Sequence, residues 1–374
     1  MQALKSLFHS LAIGAALASL SAPIVAANFE AQNLVTDDQP AHPARILDTG
    51  LKNAWGLSYA PNGPFWLSSN GTGTSPLYKI DGATQATTKQ GLVVSIPGDG
   101  SVTGQVFNSN AATAFNRDVF LFVSEDGTIS GWRGALGATA EVLATASASN
   151  VYKGAAFATI TGNSYLYAAN FRSGAVDVLK GSAAAPTLAG MFTDPNLPAG
   201  YAPFNVQNLA GSLYVAYAVQ DAGKHDEIAG VGWGMVDRFD LQGNFLSRVA
   251  TGGTLDAPWG LAIAPSSFGA MAGALLVGNF GDGRINAYDA GSSAFLGQVL
   301  DANGTPLAIN GLWAIAPGND GSAGSSSLLY FTAGPDNESH GLFGVLVAVP
   351  EPSTYALLLV GLAAVASRVW RRSV

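Results

Sequence analysis

The feature that most constrains the fold of this chain is an internal repeat. An apolar stretch that ends in Ala-Pro occurs at residues 53–61, 257–265 and 310–317. Each copy is followed by a second apolar run, a glycine-containing loop and a third apolar run. Short apolar runs separated by Gly, Pro, Asn and Asp are typical of strands and turns. The repeat therefore predicts an all-β architecture built from similar units.

Three weaker copies begin near residues 112, 154 and 203, so six units start about 40 to 60 residues apart, the spacing of propeller blades. We expect a six-bladed β-propeller whose four-stranded antiparallel blades surround a central channel. An open ring would expose sheet edges, so residues 29–36 are predicted to close it beside residues 342–349. A β-sandwich and a seven-bladed propeller are the alternatives.

The first 27 residues have the features of a secretory signal peptide. Lys5 precedes an apolar run at 11–20, and small residues lead to a predicted cleavage site after Ala27. A buried N-terminal helix is the alternative interpretation. If the signal is cleaved by signal peptidase, the body of the protein is exported.

The C-terminal segment, residues 350–374, resembles the PEP-CTERM sorting tail of Gram-negative bacteria. The signature Pro350, Glu351 and Pro352 is followed by an apolar run at 355–367 and a cluster of arginines. The resemblance implies a transmembrane helix that holds the body, residues 28–349, at the inner membrane until an exosortase acts near the signature. The protein would then reach the cell surface or the extracellular space. A permanent membrane anchor is the alternative.

Composition narrows the function classes. The chain has no cysteine, which excludes disulfides, thiolate metal sites and cysteine nucleophiles. When Lys5, Glu351 and the three terminal arginines are set aside, 13 basic and 24 acidic residues remain in the body. An acidic body does not attract nucleic-acid phosphates, so a nucleic-acid partner is not expected.

Four side chains follow the second strands of four different units, and we list them as a candidate metal site: Asn70, Glu125, Asn170 and Asn279. Carboxylate and amide oxygens are ligands for Ca²⁺, which is the candidate cofactor. Turn positions that favour asparagine are the alternative explanation. The repeat also resembles NHL-type and gluconolactonase-like propellers, and that resemblance implies a calcium-dependent, lactonase-like hydrolase with Glu125 as a metal ligand.

Two other groups of residues have more than one interpretation. Trp55, Trp259 and Trp313 recur in the first strand of their units, where packing between blades explains them better than a platform for sugars. The polar run 224–227 is expected to be a solvated loop, with a general base or a second cation site as the alternatives.

The leading expectation is an exported, non-catalytic propeller that binds exopolysaccharide or an envelope protein. It depends on the two targeting segments and on the scarcity of acid–base residues in the repeat, and no catalytic residue is assigned. The calcium-dependent hydrolase is the alternative function.

Overall fold

The computed structural model describes residues 28–349, which form six β-sheets. The inner strands of the six sheets contact one another in a closed ring, so the sheets are the blades of a propeller around a central channel. The all-β, six-bladed fold predicted from the repeat is confirmed. The predicted signal peptide and sorting tail lie outside the described residues.

The chain enters through two strands of its last blade, β1 (Asn28–Thr36) and β2 (Ile46–Leu47). Blade 1 contains β3 (Ala54–Ser58), β4 (Phe65–Ser69), β5 (Thr74–Ile80) and β6 (Thr87–Ser95). Blade 2 contains β7 (Val102–Phe107), β8 (Phe120–Ser124), β9 (Ile129–Trp132) and β10 (Glu141–Ala144). Blade 3 contains β11 (Tyr152–Ile160), β12 (Asn163–Asn170) and β13 (Ala175–Lys180).

Blade 4 contains β14 (Tyr201–Leu209), β15 (Ser212–Gln220), β16 (Glu227–Ile228), β17 (Met235–Phe239) and β18 (Phe245–Thr251). Blade 5 contains β19 (Pro258–Ile263), β20 (Leu275–Asn279), β21 (Ile285–Tyr288) and β22 (Phe295–Gln298). Blade 6 contains β23 (Leu300–Asp301), β24 (Leu312–Pro317), β25 (Leu329–Ala333) and β26 (Leu342–Val349), together with β1 and β2.

Short 3-10 helices interrupt three of the connections, at Phe115–Arg117, Gly134–Leu136 and Ser266–Met271. Among residues 28–349, none of the helices has the length and hydropathy needed to cross a bilayer.

In four of the six blades the second strand is buried along its whole length. Every residue of β4, β8, β20 and β25 is buried, although the strands are only five residues long. A strand that packs against a neighbouring sheet on both faces has no solvent side and reads as a continuous apolar run. This is why the repeat is visible in the sequence.

The prediction that every blade has four strands is wrong for blade 3. Its sheet has three strands in the described chain, because the segment between β13 and β14 contains Pro186, Pro195 and Pro198. Proline lacks the backbone N–H that a ladder requires. The segment instead donates backbone N–H groups of Gly190 and Phe192 to the β17–β18 turn of blade 4.

The ring closes where the sequence predicts it. β1 pairs antiparallel with β26 along nearly its full length, from Asn28 opposite Val349 to Thr36 opposite Leu342. Blade 6 is therefore built from both ends of the described chain, and the sheet edge of β26 is covered.

The register of blade 6 defines the two ends of the channel. Leu312, Ala333 and Leu342 are level with one another at the end where the inner strands begin, and we call this end the mouth. Pro317, Leu329 and Leu346 are level at the opposite end. We call that opposite end the cavity end, since the channel widens there into a cavity described below.

Candidate functional site

A buried lysine lies at the centre of the mouth. Lys153 is the second residue of β11, and its side chain is only 1% exposed. Its Nζ donates to Glu125 Oε1 at 2.5 Å and to Asp226 Oδ1 at 3.2 Å. Glu125 follows β8, and Asp226 precedes β16, so loops of blades 2 and 4 supply the counter-charges to a strand of blade 3.

Aromatic rings form the floor below the lysine. Lys153 Nζ lies 5.2 Å from the ring centroid of Trp55 and 6.0 Å from that of Phe171. Trp55 stacks on Trp313 with centroids 3.7 Å apart, and the Nε1 of Trp259 donates to the Lys153 backbone oxygen at 3.0 Å. Cation–π attraction and the two carboxylates together offset the cost of burying the ammonium.

A chain of amide hydrogen bonds connects Glu125 to a second acidic residue, Glu338, on the β25–β26 loop. Asn53 Nδ2 donates to Glu338 Oε2 at 2.6 Å, while its Oδ1 accepts from Trp313 Nε1 at 2.8 Å. Asn53 also contacts Asn70 Oδ1 at 3.3 Å, and Asn70 Nδ2 donates to Glu125 Oε2 at 3.0 Å. The side chains of three blades are thus held in one network.

The pKa values of the acidic groups at the mouth are shifted in different directions. Burial raises the pKa of Glu227 to about 7; the charges of Glu338 and Asp226 act in the same direction and Lys153 opposes them. Burial also raises the pKa of Glu338. Burial acts to raise the pKa of Asp226, but Lys153 and His225 outweigh that effect and hold the pKa below its usual value.

Lys153 itself remains charged. Burial acts to lower its pKa, but Glu125, Glu227 and Asp226 outweigh that effect and raise the pKa above its ordinary value. A lysine in this state serves as a fixed positive charge, because nucleophilic or basic lysines require a lowered pKa.

The four residues predicted as a metal site do not all lie together. Asn70 and Glu125 are hydrogen-bonded at the mouth. Asn170 donates to Asp177 at 2.8 Å and accepts from the backbone N–H of Val151, within blade 3. The fourth residue of the predicted set, Asn279 in blade 5, is hydrogen-bonded to residues around its own turn. The four-residue metal set stays a prediction.

Asn279 is that fourth member. Its Nδ2 donates to Thr254 O and to Asp282 Oδ1, both at 2.8 Å, and its Oδ1 accepts from Asn286 at 3.3 Å. Its amide is therefore used to hold the β20–β21 turn and the connection into blade 5. The sorting signature, Pro350, Glu351 and Pro352, lies outside the described residues.

A different set of side chains has the geometry to hold a metal ion. Glu125, His225 and Asp226 each offer a ligand atom, and these atoms lie within 4.8 Å of one another. His225 Nδ1 is 2.8 Å from Asp226 Oδ1, in the polar run that the sequence singled out. The two carboxylates of this set are also those that contact Lys153, so a metal ion would compete with the ammonium for them.

The three repeated tryptophans are packing residues, as the sequence favoured. Trp55 and Trp259 are 2% exposed, and Trp313 is fully buried. The exposed tryptophan of the mouth is Trp233, at 44%, on the same connection as Asp226 and Glu227. Sequence reasoning missed it because it lies outside the repeat.

At the cavity end the channel opens into a cavity of about 450 Å³. All six inner strands contribute to its wall, with apolar side chains such as Leu57, Phe157 and Ile315. Among the described residues that line it, none is charged. The two ends of the channel therefore differ sharply in charge.

Sequence comparisons identify a sorting motif at the C-terminal end and two viral relatives of the chain. Residues 348–373 match the PEP-CTERM protein-sorting motif. An uncharacterized protein of Acanthamoeba polyphaga mimivirus is 29% identical over 328 residues, covering 82% of this chain and 76% of that protein. A second uncharacterized protein of the same virus is 35% identical over 206 residues, covering 53% of this chain and 52% of that protein.

Two solved structures are similar to most of this chain. An alpha-L-arabinofuranosidase from Fusarium graminearum is similar with a TM-score of 0.51 at 11% identity, covering 86% of this chain and 98% of that one. A virginiamycin B lyase from Staphylococcus aureus gives a TM-score of 0.47 at 11% identity, covering 86% of this chain and all of that one. At such identities, likeness shows the fold alone. The sorting motif, by contrast, implies export, membrane-associated sorting in a Gram-negative bacterium and processing by an exosortase.

Proposed function

We propose that this chain, which carries a PEP-CTERM sorting motif, is an exported propeller that binds a polysaccharide of the cell envelope or extracellular matrix at its mouth, without catalysis. The segments 1–27 and 350–374 are removed by signal peptidase and exosortase, and residues 28–349 are the functional body. The observation that carries the proposal is the hydrogen-bonded set of carboxyl and amide groups around Lys153, with an exposed tryptophan, Trp233, on the same connection as Asp226.

The chemistry of the mouth suits a ligand rich in hydroxyl groups. Carboxylates accept hydrogen bonds, and amides both donate and accept them, so together they match neighbouring hydroxyls of a sugar. Glu125 and Asn70 are held by hydrogen bonds before any ligand arrives, which lowers the entropy lost on binding. Trp233 offers a large apolar face with a polar N–H, a combination that is enriched at binding surfaces.

The charge of the mouth selects the class of polysaccharide. Glu125, Asp226, Glu227 and Glu338 lie around the ammonium of Lys153, so carboxyl groups outnumber the positive charge in this cluster. Like charges brought together at an interface oppose association. A neutral or amine-bearing polysaccharide is therefore the expected ligand, and a polyanionic one is rejected.

A binding assay with the processed protein tests this. Titration calorimetry with dextran, partly deacetylated chitin oligomers and alginate compares neutral, amine-bearing and anionic probes. We expect binding to one of the first two and none to alginate. Trp233→Ala is expected to weaken binding at least about tenfold, the effect of losing one interface anchor.

Phe295→Ala is the matched control, because Phe295 is 50% exposed but lies on the outer strand β22, away from the mouth. It should leave the affinity unchanged. Failure of neutral and amine-bearing probes to bind, or an equal loss in both variants, would contradict the proposal.

One observation favours the hydrolase as a second candidate. The pKa of Glu227 is raised to about 7, whereas the pKa of its chain neighbour Asp226 is lowered. Two carboxyl groups whose pKa values are pushed apart are the arrangement of a general acid and its partner. Lactone and glycoside hydrolysis, measured with and without calcium, separates the two functions: turnover that Glu125→Gln or Glu227→Gln abolishes would replace the binding function with the enzymatic one.

Processing has its own test. The intact mass of the protein from cells that contain the exosortase should lack the C-terminal tail, and the mass from cells without the enzyme should retain it. An uncleaved tail in both strains would refute processing while leaving the binding proposal to the calorimetry.

A further inference from the structure

Both ends of the described chain leave the propeller at the cavity end. β26 runs from Leu342, level with the mouth, to Val349, beyond Leu346 at the cavity end. Asn28, where β1 begins, is paired with Val349 and shares that end. The sorting motif begins at residue 348, so the tail is attached to the cavity end of blade 6.

The connection between body and tail is short. The apolar run of the tail begins at Tyr355, six residues after Val349. Six residues, even fully extended, reach about 20 Å. The mouth is farther from the cavity end than that, because the nine residues of β15 span about 30 Å between them. While the tail is in a membrane, the mouth cannot lie against that membrane.

The two ends of the propeller also differ in the charged residues that their connections carry. The connections between first and second strands face the cavity end, and four of the six contain no Asp, Glu, Lys or Arg: residues 59–64, 160–163, 209–212 and 264–274. The connections between second and third strands face the mouth and carry the following acidic residues: Glu125, Asp126, Asp221, Asp226, Glu227, Asp282, Asp336 and Glu338. The connections between third and fourth strands also face the cavity end and carry Asp81, Asp240 and Asp289, so this end is less acidic than the mouth but not free of charge. Anionic lipid head groups therefore repel the cavity end less than the mouth.

From these observations we infer that the cavity end of the propeller faces the bilayer while the tail is attached, so that the mouth is turned away from the membrane toward its ligand. The partner of the cavity face is the lipid surface itself. This inference rests on the proposed tethering by the tail, and it adds an orientation: the polysaccharide site is accessible before exosortase releases the body.

The absence of cysteine from the sequence makes the test direct. Single cysteines are introduced at exposed positions of the cavity face, Asn62→Cys or Ala270→Cys, and of the mouth, Ala222→Cys. The full-length protein, from cells without exosortase, is labelled with a nitrobenzoxadiazole maleimide and reconstituted into vesicles. Quenching by a lipid that is spin-labelled at its head group reports the distance of each label from the bilayer surface.

We expect quenching at both cavity-face positions to exceed that at Ala222→Cys by at least about threefold, because the faces are about 30 Å apart. Insertion of about 30 Gly/Ser residues after Val349 lets the body tumble over a comparable distance and should remove the difference. Equal quenching at both faces, stronger quenching at the mouth, or a difference that survives the insertion would overturn the orientation.

Flotation of the same vesicles separates the two failures. Protein that floats with the vesicles but shows no difference between faces refutes the orientation alone. Protein that does not float refutes the tethering, and the inference falls with it.

Discussion

Replacing Lys153 by methionine is the sharpest test of the charge network at the mouth. Methionine preserves the length of the side chain and its contact with Trp55 while removing the ammonium. The carboxylate of Glu125, only 11% exposed, then loses its 2.5 Å partner. Asp226, at 65% exposure, is compensated by water and loses little.

The expected cost follows from that difference in exposure. Breaking a buried ion pair by removing one partner destabilises a protein by about 3–5 kcal/mol. With one buried and one solvated carboxylate, we expect the lower value, about 3 kcal/mol at pH 7.5. Adding Glu125→Gln should recover most of the loss, because the uncompensated charge is then absent.

The pH dependence has a definite sign. Lys153 holds the pKa of Asp226 below its usual value of 3.8 in the wild type, so the stabilisation from this ion pair is present above that value and is lost as the pH falls through the folded pKa. The deficit of Lys153→Met relative to the wild type should therefore not grow between pH 7.5 and pH 5, and it should shrink below about pH 4.

Urea-induced unfolding followed by tryptophan fluorescence at the two pH values measures these differences. Lys79→Met is the control: Lys79 is exposed on β5, and its loss should change the free energy of unfolding by less than about 0.5 kcal/mol. A Lys153→Met variant within about 1 kcal/mol of the wild type at pH 7.5, or a deficit that grows toward pH 5, would refute the assignment of a buried ion pair.

Three further outcomes follow from the structure. Millimolar calcium should raise the melting temperature of Lys153→Met more than that of the wild type, because Glu125 and Asp226 no longer contact the ammonium in the variant. Equal shifts would show that Lys153 does not compete with calcium for Glu125, His225 and Asp226. Burial raises the pKa of Glu227 in the folded protein to about 7, so the contribution of this group to stability is full at low pH and is lost as the pH rises through 7. In urea titrations, Glu227→Gln should therefore be more stable than the wild type at pH 8. The variant should lose that advantage at pH 5. Phe29→Ala removes a buried ring of the closing strand β1 whose centroid lies 4.3 Å from that of Phe268, so it should lower the free energy of unfolding by about 3–5 kcal/mol. Glu30 is the exposed neighbour, and Glu30→Ala should lower it by less than about 0.5 kcal/mol. Similar losses in the two variants would argue against the closure by β1.

The fold was predictable because its repeating unit buries the same strand in the same way. β20 and β25 are buried throughout and mainly apolar, and the three copies of the Ala-Pro turn mark where three of the inner strands end. The closure by β1 followed from the need to cover a sheet edge. The strand count of blade 3 was not predictable from the repeat, because three prolines outside it decide that the fourth strand does not form.

The site was only partly predictable, for a reason of chain distance. Aligning the ends of the second strands found Asn70 and Glu125, which do meet. Lys153 lies inside a buried inner strand, where a single-sequence pattern indicates core, and its partners are 28 and 73 residues away. Nothing local to a residue reveals ion pairs that only the closed ring assembles.

The presence of a lysine where a metal ion could sit has consequences for what the mouth can do. A metal ion acts by offering an open position to substrate or water. The Lys153 ammonium spends its hydrogen bonds on Glu125 and Asp226, and its raised pKa keeps it protonated. It supplies a permanent positive charge that does not depend on a supply of calcium, and it fixes the carboxylates in one geometry. A site whose shape is set by the fixed ammonium of a lysine is suited to holding a ligand. Glu227, whose pKa is raised to about 7, is the residue of the mouth from which we expect any acid–base chemistry to begin.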